Sequence, residues 1–240
     1  MSATLEVIRR GGERARVGPW RGDRMVAYLA PTTDTGPLSP SFVRHCVGQL
    51  AERGYTRVVT SALAVAEQAP FLDAGFSVEQ RLHLLAHDLR DLAHRPRLAR
   101  LRLVEGEAFV PEVVELDGRC FDAFWQMDPA GVAEAVAATP RSRFRVARQE
   151  PAGPVLGYAI TGRAGRRGYV QRLAVDTRWR RQGLGRLLVL DGLWWLRRWR
   201  ASLALVNTQT GNHAAMALYQ SLGFRLEPGG LSVLAIGLAR

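Results

Sequence analysis

The chain contains no lysine; all 33 of its basic residues are arginine. That excludes a Walker A lysine, a Schiff-base lysine and a lysine general base. Cysteine is almost as scarce. Cys46 and Cys120 are the two present, too few for a disulfide framework or a cysteine-based zinc site, and no metal site is expected. No apolar run reaches the ~18 residues that a membrane helix needs, because arginines or acids interrupt each candidate. Met1 to Arg10 has no apolar stretch of the kind a secretory signal carries. These absences point to a cytoplasmic chain with no membrane partner. Acids are outnumbered by bases, 22 against 33, which leaves a formal net charge of +11. Such a surface attracts phosphates, acidic proteins or nucleic acid in a salt-dependent way.

What remains is the composition of a globular protein, 47% hydrophobic and 23% charged over 240 residues. That length buries enough core for one large domain or two small ones. Short apolar stretches between Leu5 and Leu29, broken by Gly11-Gly12 and Gly18-Pro19, predict strands in hairpins. Pro31 to Pro40 reads as a loop. Ser41 is placed to cap a helix to about Arg53, with Phe42, Cys46 and Leu50 on one face and Gly54 as the stop. A strand over 56–62, a helix over 64–74 ended by Gly75, and one long or two short strands over 76–89 follow. Asp88 to Arg100 is polar, basic and proline-containing, and is the expected linker.

The second half predicts a strand from Arg102, helices over 111–124 and 128–138, and strands over 143–148, 155–161 and 169–175. A helix over about 183–200, a strand at 202–206, a helix over 212–222 and two closing strands complete it. Two α/β units are therefore expected, 1–95 and 98–240. Their ends look alike. Phe71-Leu-Asp-Ala-Gly75-Phe76 overlays Tyr219-Gln-Ser-Leu-Gly223-Phe224 at a constant offset, the mark of a worn internal duplication.

The richest stretch is Tyr169 to Arg186. A strand ends at Val175, a basic turn follows, and Arg180-Arg181-Gln182-Gly183-Leu184-Gly185 opens a helix. Glycines bring successive N–H groups close to a ligand, and a helix start adds free amides and the positive end of its dipole. Flanking arginines make this a cradle for a diphosphate. A third glycine and a Gly-Lys-Ser/Thr are both missing, so it is neither a Rossmann fingerprint nor a P-loop.

In these blocks the chain resembles the GNAT N-acetyltransferase superfamily. Leu173-Ala174-Val175, Arg180 to Gly185, and Asn212 through Tyr219 to Gly223-Phe224 match its motifs in order. The likeness covers about Leu101 to Leu238, is faint over the first ninety residues, and is nearest to the branch that acetylates ribosomal-protein N-termini. It implies a mixed, mostly antiparallel sheet flanked by helices, preceded by a degenerate half-copy. It implies acetyl-CoA as cosubstrate and a primary amine as acceptor: a protein N-terminus, a lysine side chain or a small amine. The backbone of Leu173, Ala174 and Val175 would pair with the pantetheine arm. The amides of Arg181, Gln182, Gly183, Leu184, Gly185 and Arg186, beside Arg180, would hold the coenzyme A diphosphate. Asn212 would bond the cofactor's arm, and Tyr219 would protonate the departing thiolate.

The chain departs from that pattern where a base is expected. Asn207 and Gln171 stand at the two usual glutamate positions. Asp117, Asp122 and Asp128 are the other carboxylates placed to serve, against the plainer reading of solvated helix faces. His213 reads as a cap or solvated residue and Cys120 as a small core residue. Trp194, Trp195 and Trp199, mixed with Arg197, Arg198 and Arg200, suit a packed helix with a charged outer face better than a nucleic-acid stacking surface. Two other classes stay open: a non-catalytic acyl-CoA sensor or scaffold, and a basic RNA- or ribosome-binding protein.

Overall fold

The computed structural model describes residues 5–32, 36–96, 98, 101–149 and 153–238. Parts of the expected loop at 31–40, linker at 88–100 and turn at 150–154, and the first four residues of the N-terminal stretch, fall outside the described residues.

β1 (Glu6–Arg10) and β2 (Glu13–Pro19) form the predicted antiparallel hairpin, and β3 (Val26–Pro31) adds to β2. β3 and β4 (Arg57–Thr60) are parallel, so a crossover must join them. α1 (Pro40–Glu52) supplies it. Its cap is Ser39 rather than Ser41: the Ser39 Oγ accepts from the Phe42 N–H at 3.2 Å. Pro40 takes the first helical position, where a missing N–H breaks no helix bond. Phe42, Val43, Cys46 and Leu50 are buried against Leu29, Val58 and Phe71, as the spacing predicts. β5 (Leu63–Ala64), α2 (Val65–Leu72) and β6 (Ser77–His87) follow. The expected strand over 76–89 is thus a single long one.

The second set of elements begins with β7 (Leu101–Glu105), α3 (Val110–Cys120) and α4 (Pro129–Ala137). β8 (Arg141–Gln149), β9 (Val155–Ala164) and β10 (Arg167–Val175) continue the antiparallel ladder. α5 (Leu184–Arg198) crosses over to β11 (Leu203–Gln209), which is parallel to β10, and α6 (His213–Ser221) follows. α3 and α4 cover one face of this sheet, burying Val113, Leu116 and Val132 against Phe144, Tyr158 and Ile160. α5 covers the other with Leu184, Leu187 and Leu188. Each such leucine contributes ~1.5–3 kcal/mol on burial.

β12 (Arg225–Leu226) pairs with the last residues of β6, and β13 (Leu231–Gly237) closes the chain. The contacts separate into two compact units that are not continuous in sequence. The first holds the described residues through Leu84, together with Gln209–Gly211 and those from Glu227 onward. The second holds Leu85–Thr208 and Asn212–Leu226. β13, which sequence order puts with the second half, lies in the first unit between β4 and β6. This strand exchange joins residues ~150 apart, and no local pattern announces it.

The stops of α2 and α6 match bond for bond. After α2, the Phe76 N–H returns to the Phe71 carbonyl at 3.1 Å; after α6, the Phe224 N–H returns to Tyr219 at 3.1 Å. Gly75 and Gly223 take φ of +96° and +93°, a left-handed helix stop that glycine adopts without penalty. Phe71 meets Phe76 edge-on at 5.4 Å, and Tyr219 meets Phe224 at 5.5 Å.

His87 secures the second of these stops. Its Nδ1 accepts from the Leu89 N–H at 2.8 Å, so its Nε2–H donates to the Leu222 carbonyl at 3.0 Å. The ring is buried and packs on Phe224 at 5.2 Å. Burial, partly offset by the Leu222 bond, lowers its pKa below the ordinary 6.5. The unfolded chain therefore takes up a proton first, and stability falls as pH drops through about 6.5 toward the folded value. Urea unfolding of the wild type should show less stability at pH 5.5 than at 7.5. In His87→Gln, which cannot titrate, that part of the slope should vanish.

Candidate functional site

β10 carries a bulge between Val170 and Arg172. Its parallel pairing with β11 ends at Val170–Val206, while pairing with β9 continues to Val175. Beyond the bulge, the β10 edge that would face β11 is therefore open over Leu173 to Val175. The Val175 carbonyl accepts one weak bond from the Cys120 thiol at 3.4 Å. Cys120 is half-buried, and burial raises its thiol pKa.

The chain then turns through Asp176, whose buried carboxylate accepts from the Arg178 N–H at 3.0 Å and from its guanidinium at 3.0 and 2.9 Å. The Arg178 bonds hold this carboxyl down at about 2. Arg181 sits at φ +63° and Gly183 at +83°. A left-handed arginine is uncommon and marks local strain. Arg180, just before Arg181, is extended, and the helix begins directly after Gly183; the free amides of a helix start suit anions. Gly183 caps α5, so the amides of Leu184, Gly185 and Arg186 have no partner within the helix. Arg180, Arg181 and Arg186 add positive charge around it. The Arg186 Nη1 also donates to the Ser221 carbonyl at 3.3 Å, and Gln182 to the Arg178 carbonyl at 3.3 Å.

Gly185 has a packing role as well. A Cβ there would lie 3.1 Å from Leu218 Cδ2, so α6 sits directly against the start of α5. Tyr219, the next residue, is 4% exposed. Its hydroxyl makes no hydrogen bond among the described residues, and burial raises the phenol's pKa. It remains a protonated donor at any physiological pH. Asn212 caps α6, its Oδ1 accepting from the Ala215 N–H at 3.1 Å, which leaves its amide NH₂ for a ligand. The start of α5 thus lies against Leu218 of α6 and beside Val175 of β10, through Gly185.

The expected acids behave differently. Asp117 is fully buried and is no solvated helix face. Its oxygens take Arg172 Nε at 2.8 Å and Nη2 at 2.7 Å, the Met127 N–H at 2.8 Å, and the Tyr158 hydroxyl. Arg172 also donates to the Trp125 carbonyl at 2.6 Å and stacks over Phe121 at 3.5 Å. Every acceptor direction of Asp117 is used. Asp128 caps α4 through the Gly131 N–H at 2.7 Å. Asp122 and Asn207 are exposed, as is His213. The Gln171 Oε1 is buried without a hydrogen-bond partner. Arg172 and Tyr158 escaped sequence reading because a lone arginine and a lone tyrosine in strands carry no spacing signal.

The first unit has the same crossover but a different helix start. At α1, the Ser39 N–H and Oγ both donate to the Glu13 carboxylate, the latter at 2.8 Å. The anion position at this helix start is filled by the protein's own side chain. Phe71 stands where the second unit has Tyr219.

Fold and site define an α/β protein in which a helix starts at a left-handed glycine shortly after a strand that is paired in parallel over only part of its length. Residues 110–224 match the family described as Acetyltransferase (GNAT) family. This stretch is an acetyltransferase domain of the GNAT family. N-alpha-acetyltransferase 30 of Xenopus laevis is 37% identical over 59 residues, 25% of this chain and 22% of that protein. The human protein of that name matches equally over 59 residues, 16% of its length. The chain thus matches only about a fifth of these relatives. A solved structure described as a tandem GNAT protein from the clavulanic acid biosynthesis pathway has a TM-score of 0.70 and 17% identity, covering 100% of this chain and 84% of its own. A GCN5-related N-acetyltransferase from Kribbella flavida has a TM-score of 0.64 and 15% identity, covering 98% and 89%. These two likenesses establish the fold. Among the described residues no helix is long and apolar enough to cross a membrane, and no cluster of metal-ligating side chains occurs.

Asp117→Ala should leave Arg172 buried without its partner and destabilise the second unit by about 3–5 kcal/mol. Chemical denaturation followed by tryptophan fluorescence checks this.

Proposed function

We propose that the protein is an N-acetyltransferase that moves the acetyl group of acetyl-CoA to a primary amine, using the second unit alone. The observation that carries this reading is the left-handed Arg181–Gly183 turn at the start of α5, within the family's matched stretch. Amides of Arg181 to Arg186 bind the diphosphate, with Arg180 supplying charge. The open edge of β10 at Leu173 to Val175 pairs with the pantetheine arm as an added strand, and the Asn212 amide bonds it. A backbone N–H near Leu173 or Ala174 polarises the thioester carbonyl. The unprotonated amine attacks that carbon; the new C–N bond forms as the C–S bond breaks. Tyr219 gives its proton to the departing sulfur and takes one back from solvent, which receives the proton that the amine releases.

No carboxylate serves as base in this reading. Asp117 is fully engaged, Asp128 is a cap, and Asn207 and Gln171 cannot take a proton. The amine's surplus proton therefore leaves to water. The acceptor we favour is a protein or peptide N-terminus, since the partial relatives are N-alpha-acetyltransferases. The first unit takes no cofactor: Glu13 fills the start of α1, and Phe71 has no proton to give.

A thiol-release assay with acetyl-CoA against peptides and small amines tests the activity. Tyr219→Phe keeps the ring packing and should lower turnover by roughly 10–10³-fold with little change in cofactor affinity. Full turnover in this variant, with chemistry rate-limiting, would remove Tyr219 from the mechanism.

Calorimetry should give one coenzyme A per chain. Gly183→Val, which forces a branched side chain into a left-handed position facing the ligand, should abolish that binding. A stoichiometry of two would contradict the role given to Glu13.

A further inference from the structure

A cavity of about 540 Å³ opens on the C-terminal half of α5, within the second unit. Trp195 in its wall stands eleven residues beyond Leu184, so it lies ~16 Å along the helix from the diphosphate cradle. The cavity takes no part in the reaction proposed above. Its base is Asp191, 3% exposed. Arg143 grips this carboxylate through Nε at 2.6 Å and Nη2 at 3.1 Å, and Arg95 through Nη1 at 2.9 Å. With Arg198, the lining holds three guanidiniums against one carboxylate, a net charge of +2. Asp191 fixes the first two guanidiniums without using them up. Among the described residues, the Arg143 Nη1 and the Arg95 Nε and Nη2 make no hydrogen bond and Arg198 has no ion pair.

The walls are aromatic: Trp194, Trp195 and Trp199. Trp194 is locked, its Nε1–H donating to the Ala93 carbonyl at 3.0 Å and its ring lying 5.2 Å from the Arg197 guanidinium. Trp199 is 55% exposed, a large apolar surface left in water at the cavity rim. Three indoles and an arginine fork in one concavity offer ring stacking and anion pairing together.

We propose that this cavity is a second binding site, for a planar aromatic molecule bearing a carboxylate or phosphate. The ring stacks on Trp199 and Trp195, and the anion takes the free donors of Arg95, Arg143 and Arg198. An aromatic carboxylate and a nucleoside monophosphate share this chemistry, so 1-naphthoate and AMP serve as probes.

In calorimetry on the full chain, at least one probe should bind with Kd below about 1 mM. It should bind at least tenfold tighter than 1-naphthalenemethanol and than inorganic phosphate. Which probe binds distinguishes the two sources. Arg198→Ala and Trp199→Ala, both at an exposed helix end, should each weaken binding about tenfold while thiol release from acetyl-CoA is unchanged. Failure of both probes to bind, equal binding of the uncharged ring, or undiminished binding in both variants would overturn the site. A single-stranded oligonucleotide binding far tighter than AMP would overturn the small-molecule assignment.

Discussion

The buried pair of Asp117 and Arg172 fixes the geometry on which the rest of the second unit depends. Asp117 belongs to α3 and Arg172 to β10, and the same carboxylate takes Tyr158 of β9 and the Met127 N–H ahead of α4. Arg172 is the first residue after the β10 bulge. The ion pair therefore ties β10, at its bulge, to α3, to β9 and to the chain ahead of α4. A pair of this kind gains little over a well-packed apolar alternative, and its value lies in admitting one arrangement. Here that arrangement leaves the Leu173–Val175 edge open.

The two units share one crossover and differ at the start of its helix. Both place a helix between parallel strands, and both end the following helix with the same carbonyl pattern and a left-handed glycine. They differ at the start of the first helix. In the second unit the turn holds Arg181 in an uncommon conformation, and the first helix amides are left without internal partners. In the first, Glu13 satisfies Ser39 and brings negative charge to the positive end of the helix dipole. Phe71 of the first unit also has no hydroxyl where Tyr219 of the second has one.

Much of this was legible in the sequence where the signal is local. The periodicity of Phe42, Cys46 and Leu50, the helix stops at Gly75 and Gly223, and the Arg180–Gly185 turn are all set within a few residues. So was the repeat, since it rests on six consecutive positions. The Ser39 cap was missed by two residues, because Ser39 and Ser41 flank a proline equally well on paper. Asp117 looked like a helix-face acid; its burial depends on Arg172 and Tyr158, 55 and 41 residues away. Glu13 against Ser39, and the aspartate beneath three arginines at Asp191, are likewise products of chain folding. The tryptophans of α5 gave a correct helix, but not the cavity that they share with Arg95.

The exchange of β13 has a consequence for the order in which the protein can be made. The first unit's sheet has a gap between β4 and β6 until Leu231–Gly237 arrives. At ~5–20 residues per second, the stretch from β6 to β13 takes on the order of 7–30 s to synthesise. For that interval Val58 and Val59 of β4 present an unpaired strand edge, which is a site for wrong pairing. The second unit, whose sheet needs nothing beyond Leu226, is complete first. The first unit's sheet thus waits for a strand made ~150 residues after the one it flanks.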